Sequence, residues 1–193
     1  MQSYVINLDR RPDRLAEISA HLKELGLPFE RIPALDGQLW DGNGWKKQGT
    51  AKEQVWRGAA GCYFSHLLAL RTAIDRNIFP CIILEDDAVL SEKPEPEEGM
   101  VYLGGFENAL GIYGLHAVMY SDKYTALSFL AYAKKYKNTI DSIANKFRKQ
   151  NDSICKKYHK GFIATQRRSF SDITETTVRR SPAGTIPKSS RPA

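Results

Sequence analysis

The sequence predicts one α/β domain with a mostly parallel central sheet and helices on both of its faces. Three observations carry this prediction. Short apolar runs of strand character alternate with segments of helical periodicity. The connections between them are short. At 193 residues the chain fits a single sizeable core rather than two full domains.

Residues 4–8 (YVINL) read as a first strand, followed by the charged turn DRRPDR. Over 13–25, Leu15, Ile18, Leu22 and Leu25 recur at helical spacing; Gly26 closes that helix and Pro28 blocks its continuation. Residues 29–34 (FERIPA) are a second strand running into the turn Leu35-Asp36-Gly37. Residues 38–55, with Trp40 and Trp45, read as a loop folded over something. The glycines of 58–61 (GAAG) open a buried helix over 62–76, which Asn77 ends. After the strand that follows, 91–99 (SEKPEPEEG) is an acidic connector that its prolines keep from being helical. Residues 100–103 form a short strand ending in Gly104-Gly105, a place for close backbone approach to a ligand. A strand over 118–120 precedes a helix over 122–137, with Ala126, Phe129, Leu130 and Ala133 on its apolar face, and a further helix over 138–149. From Arg179 onward, RRSPAGTIPKSSRPA has almost nothing to bury. The predicted organisation is therefore a globular domain over 1–178 and a disordered basic tail over 179–193.

The most informative stretch is PCIILEDDAVL, residues 80–90. A β-branched, apolar strand runs straight into Glu85, Asp86 and Asp87. Three repelling charges at the edge of a core are costly unless a cation or a ring of donors satisfies them. A hard divalent metal held by one or two carboxylates, with substrate phosphates completing its shell, meets that need. In an open α/β sheet ligands gather at the carboxyl ends of the strands, where these acids stand. A solvated acidic turn is the plainer alternative.

The net charge of +6 conceals an asymmetry. Residues 1–119 hold 12 Lys/Arg against 17 Asp/Glu, a balance of −5; residues 120–193 hold 16 against 5, a balance of +11. The basic half suits a phosphorylated substrate or a weak contact with an anionic membrane surface. Its charges follow no nucleic-acid-binding pattern, so nucleic acid is not an expected partner. Cys62, Cys81 and Cys155 are too few and too scattered for a disulfide framework or a zinc site. No apolar run reaches membrane-spanning length, and the N-terminus turns charged at once, so the expected location is cytoplasmic.

Four islands stand in order: YVINLDRRPDRL, PALDG, GCYFSHLLAL and ILEDDAVL. With the later YLGG, the run Gly114-Leu115-His116-Ala117 and SFSDI, they resemble glycosyltransferase family 25. That family includes lipopolysaccharide-type galactosyl- and glucosyltransferases and is related to collagen galactosyltransferases. The resemblance runs from about Tyr4 to Ile173 and rests on the order of the islands. It implies an A-type glycosyltransferase fold, Rossmann-like, with a nucleotide-sugar donor (usually a UDP-sugar), manganese or magnesium, and inversion at the anomeric carbon. It also implies a glycan or lipid-linked acceptor.

By similarity, Glu85-Asp86-Asp87 takes the place of the acidic D-x-D signature. Asp87 is the first candidate metal ligand, with Asp86 behind it. Glu85 and Asp86 are also candidates for contact with the donor. Asn7, Arg10 and Arg14 flank the end of the first strand, where arginine suits bidentate phosphate contact, although an exposed arginine-rich turn reads almost as well. Asp36 either accepts from a nucleoside hydroxyl or belongs to a plain Asp-Gly turn. Ser65 and His66 match a family element near the donor; a core histidine is the other reading. His116 is a candidate for the metal or for the acceptor pocket. Inversion needs a base toward the acceptor hydroxyl. Asp172 in SFSDI is the first candidate and Glu107 the second, with Asp122 also placed after a strand. Asp172 as a turn cap is an equal alternative.

Two departures from the family stand out. Ala59-Ala60 occupies a place where typical members carry a glutamate, and the stretch between the acidic motif and YLGG is short. The expected function is a metal-dependent hexosyltransferase, with a non-catalytic nucleotide-sugar-binding relative as the alternative. A receiver-like phosphorelay domain also gathers acids at strand ends. It puts an acidic pair after its first strand, where this chain has Asn7-Leu8-Asp9.

Overall fold

The computed structural model describes residues 1–39 and 53–167. Trp40, Trp45, Asp172, the boundary at 178 and the tail over 179–193 lie outside the described residues. In chain order the elements are β1 (Gln2–Asn7), α1 (Pro12–Glu24), β2 (Phe29–Pro33), α2 (Glu53–Arg76), β3 (Cys81–Glu85), β4 (Ala88–Leu90) and β5 (Met100–Tyr102). They continue as β6 (Phe106–Asn108), β7 (Gly111–Tyr113), β8 (Ala117–Tyr120), α3 (Lys123–Ala133), α4 (Ile140–Gln150), β9 (Cys155–Lys157) and β10 (Ala164–Gln166).

The central sheet has six strands in the order β2-β1-β3-β8-β5-β9. Five run the same way, and β8 opposes both of its neighbours. Alternation along the central strands divides the core between the two faces. Val5, Ile82 and Leu84 pack with Ile18 and Leu22 of α1 on one side. Tyr4, Ile6, Ile83 and Val118 face the other side, where α2, α3 and α4 contribute Tyr63, Leu70, Phe129 and Phe147. The expected mostly parallel sheet with helices on both faces is what forms. No helix among the described residues is long and apolar enough to cross a membrane.

One expected boundary is wrong by more than two turns. The helix does not open at the glycines of 58–61 but at Glu53, so Gly58 and Gly61 lie inside it. The reason is packing. A Cβ on Gly61 would stand 2.6 Å from the Leu35 carbonyl oxygen, and one on Gly37 would collide with the Arg57 carbonyl. The glycines thus let the turn after β2 press its backbone onto the helix, despite the roughly 1 kcal/mol an interior glycine costs. Ser65 reinforces the contact, accepting from the Leu35 N–H at 2.9 Å and donating to the Gly61 carbonyl at 2.6 Å.

The antiparallel direction of β8 decides what reaches the site. Its first residue, Ala117, pairs with Leu84, and the Glu85 N–H donates to the His116 carbonyl at 2.9 Å. His116 therefore stands at the same sheet edge as the acidic triplet. Asp122, beyond the other end of β8, is carried to the opposite edge, where Tyr120 pairs with Cys81. There it caps α3, accepting from the Thr125 N–H at 2.8 Å. That placement removes Asp122 from the candidate bases. The two-stranded β4–β10 ladder sets Gln166 opposite Ala88, next to the acids.

Candidate active site

A cleft opens at the carboxyl ends of β1, β2 and β3. Leu8, Arg10 and Arg14 line it from the first connection; Leu35, Asp36 and Gly37 from the second; Gly58, Cys62 and Ser65 from α2. Glu85, Asp86, Asp87 and Gln166 complete the wall.

The three acids are not equivalent. Asp86 is buried and held by the protein: Asn7 Nδ2 donates to Oδ2 at 2.7 Å and Arg14 donates to Oδ1 at 3.1 Å. Burial still raises its carboxyl above the ordinary range, against the pull of Asn7 and Arg14. Glu85 is a quarter exposed. Burial works against its charge, but His66, whose Nε2 lies 3.2 Å from Oε1, outweighs that and holds it below the ordinary range. Asp87 is the least satisfied. Burial, then the neighbouring Glu85 charge, pushes it up to about 7. Folding thus brings the Arg14 guanidinium, 72 positions away in the chain, to Asp86.

The residues present fit a hard divalent cation. Glu85 Oε2 and Asp87 Oδ1 both accept from the Gln166 side-chain amide, at 3.5 and 3.4 Å from its Nε2. Two oxygens at the cleft wall, one on a buried carboxyl raised by its neighbour's charge, form an oxygen set that such an ion would relieve.

The other candidates divide clearly. Arg10 donates to Asp36 Oδ2 at 2.7 Å, and Asp36 Oδ1 accepts from the Gln38 N–H at 2.9 Å, so both line the cleft as one paired unit. Asn7 is fully used: besides Asp86 it donates to the Arg11 carbonyl at 2.9 Å and accepts from Arg31 Nε at 2.9 Å. It positions Asp86 from behind the cleft wall. The hydroxyl of Ser65 is spent on Leu35 and Gly61, which makes its contribution one of placement.

His66 and His116 are both buried. Burial holds His116 below its ordinary value, against the Glu85 charge, and its Nε2 lies 3.3 Å from the Ala164 carbonyl. A Cβ on Gly104 would collide with that ring, so this glycine makes room for a histidine rather than for a ligand. His116 lies behind Glu85 and lines no part of the cleft. Glu107 does not line this cleft. It sits on the exposed β6–β7 hairpin, paired with Lys157 Nζ at 2.8 Å. Lys157 belongs to β9, three strands and on the order of 14 Å across the sheet from β3.

Four residues escaped the sequence reading. Gln166 reaches two acids through a three-residue ladder, too short to leave a periodic signal. Arg31 orients Asn7 from β2, visible only once β1 and β2 are paired. Cys62 packs against the core and also brings its Sγ within 3.4 Å of Glu85 Oε1. Asp141 opens α4, accepts from the Leu115 N–H at 2.7 Å, and is raised by burial and by the Glu85 charge.

The family model of glycosyltransferase family 25 (LPS biosynthesis protein) matches residues 1–167. A glycosyltransferase 25 family member of Aedes aegypti is 31% identical over 94 residues, which is 44% of this chain and 16% of that protein. A namesake from Anopheles gambiae is 34% identical over 94 residues, again 44% of this chain and 16% of the relative. The matched region thus spans about a sixth of the length of these curated relatives. Among solved structures, a glycosyltransferase involved in the glycosylation of the major capsid of PBCV-1 matches with a TM-score of 0.47 at 7% identity, covering 89% of this chain and 94% of that one.

Proposed function

Because the chain belongs to glycosyltransferase family 25, we propose that it moves a hexose, galactose or glucose, from a UDP-sugar to a hydroxyl of a glycan or other acceptor. The observation that carries this reading is that Glu85 and Asp87, joined through a shared Gln166 amide, line one cleft with Arg10 and Arg14. In this reading Asp87 and Glu85 hold manganese or magnesium. When bound, such an ion neutralises the charge that develops on the departing diphosphate.

The chain's own residues supply the rest. Arg14 and Asn7 fix Asp86, and with it the stretch at the end of β3 that carries Glu85 and Asp87. Arg10 and Asp36 present paired charge where the nucleoside and phosphates approach. Ser65 and the glycine contact keep the turn at 35–37 seated on α2, which sets the width of the cleft. Inversion by direct displacement requires a base that takes the acceptor proton. That role is assigned to Asp172 on the strength of the SFSDI island, and Glu107 is set aside by its place at the sheet edge. The lipid-linked acceptor and the weak membrane contact of the basic half belong to the same proposal.

A panel of UDP-sugars offered with manganese and a hydroxyl acceptor tests it. The expected result is turnover with UDP-galactose or UDP-glucose and a product of inverted anomeric configuration. A retained configuration would overturn the mechanism. Binding of UDP without turnover of any donor would identify the non-catalytic alternative.

A further inference from the structure

Cys62 and His66 stand at i and i+4 on α2, one turn apart, so both side chains meet the end of β3 on the same helix face. Cys62 Sγ lies 3.4 Å from Glu85 Oε1, and His66 Nε2 lies 3.2 Å from that same oxygen. All three ligand atoms fall within 4.8 Å of one another. A tetrahedral zinc ion, with bonds of about 2.0–2.1 Å to nitrogen and oxygen and about 2.3 Å to sulfur, has ligand edges of about 3.3 Å (N–O) and about 3.5 Å (S–O). The two measured separations match those edges. A pair of hydrogen bonds would give similar distances, so the donor chemistry decides. Thiol, imidazole and carboxylate form a mixed set that selects a borderline-soft ion and not the hard cation suited to an all-oxygen site.

We propose that Cys62, His66 and Glu85 form a binding site for zinc or a zinc-like divalent ion, adjoining the hard-metal site at Glu85 and Asp87 and sharing Glu85 with it. Three protein ligands leave a fourth position. Cys62 and Glu85 both line the cleft, so that position faces the space where substrate enters. Binding is a simple exchange: the Cys62 thiol gives its proton to solvent as its sulfur takes the ion, and nothing is oxidised or reduced. Asp141, held at the Leu115 N–H beside this group, adds negative potential that favours the cation.

The two sites share one carboxylate. Glu85 offers Oε1 to Cys62 and His66 and Oε2 to the Gln166 and Asp87 side. An ion on Oε1 draws charge from Oε2, so zinc is expected to oppose manganese at the neighbouring site and act as an inhibitor of metal-supported turnover.

Cobalt titration of the full, metal-stripped chain under reducing conditions tests the site without relying on activity. One equivalent of Co²⁺ is expected to produce a thiolate-to-cobalt charge-transfer band in the near ultraviolet, bleached by equimolar Zn²⁺. Cys62→Ser should abolish the band and His66→Gln should weaken cobalt affinity by at least about tenfold, while Asp87→Asn keeps it. Absence of the band in the unaltered protein, or its survival in Cys62→Ser, would overturn the proposal. Alkylation mapping needs no variant. Zn²⁺ should shield Cys62 from iodoacetamide and Mn²⁺ should not, with the core thiols Cys81 and Cys155 as internal controls. Equal labelling of Cys62 with and without Zn²⁺ would also overturn it.

Discussion

Asn7 donates its side-chain amide to Asp86 at 2.7 Å, joining the end of the first strand to the acidic motif across 79 positions of chain. That bond divides the work among the three acids. Of the three acids that line the cleft, Asp86 is satisfied by Asn7 and Arg14, which leaves Glu85 and Asp87 for a cation. The YVINL and ILEDD islands each supply half of this one buried pair.

Removing the amide should therefore cost stability before it costs chemistry. Asn7→Ala leaves a buried carboxylate short of a donor and frees Arg31 Nε from its acceptor. The expected loss is about 1–3 kcal/mol of unfolding free energy, measured by urea denaturation of the metal-free protein. No change in the midpoint would show that the pair carries no structural load.

Asp87→Asn should do the opposite. The Asp87 carboxyl titrates at about 7 in the folded protein against an ordinary value of 3.8. The native state therefore binds this proton more tightly than the unfolded chain does. Stability from this group falls as pH rises from about 4 to about 7 and stays reduced above that. In the presence of a chelator, Asp87→Asn should melt above the wild type at pH 8, with the gap closing toward pH 4. A variant that melts lower at pH 8 would contradict the assignment.

The sequence showed the parts of this fold that repeat. The strands over 4–8 and 100–103 and the helix over 13–25 announce themselves by periodicity, and the structure places them within a residue or two. The acid-tipped strand was equally legible, since apolar Cys81 to Leu84 running into three carboxylates is a local pattern. Gln166, Arg31 and Cys62 were not, because each acts through a contact that exists only after distant segments pair. The glycines of 58–61 misled for a physical reason. They look like a helix opening, yet they serve a backbone contact with Leu35 that local propensity cannot reveal. The direction of β8 was equally hidden, and with it which of His116 and Asp122 would reach the acids.

That backbone contact makes Gly61→Ala a sharp test. Alanine is intrinsically the better helix former by roughly 1 kcal/mol, but its Cβ meets a carbonyl oxygen at 2.6 Å. Backbone cannot yield as a flexible side chain does, and overpacking of this kind costs about 1–3 kcal/mol. A net loss of stability and weaker UDP binding are expected, since Asp36 and Gly37 ride on the same turn. A stabilised variant with unchanged binding would show that the turn is seated by something else.

Two carboxylates separate on the question of the base. Glu107→Gln at the sheet edge should leave turnover within about twofold, its loss limited to an exposed ion pair of small value. Asp172→Asn should lower turnover by about a hundredfold or more with donor affinity retained. Steady-state kinetics of the two variants decide between them, and a large loss in Glu107→Gln alone would reverse the assignment.

The central claim is that Glu85 and Asp87 bind a nucleotide diphosphate through a hard divalent ion. Calorimetric titration of UDP into the full chain, with manganese and then with a chelator, reads this directly. Binding that requires manganese in the wild type and falls at least about tenfold in Asp87→Asn is the expected result. UDP binding of equal strength with the chelator present, or undiminished in Asp87→Asn, would contradict the account.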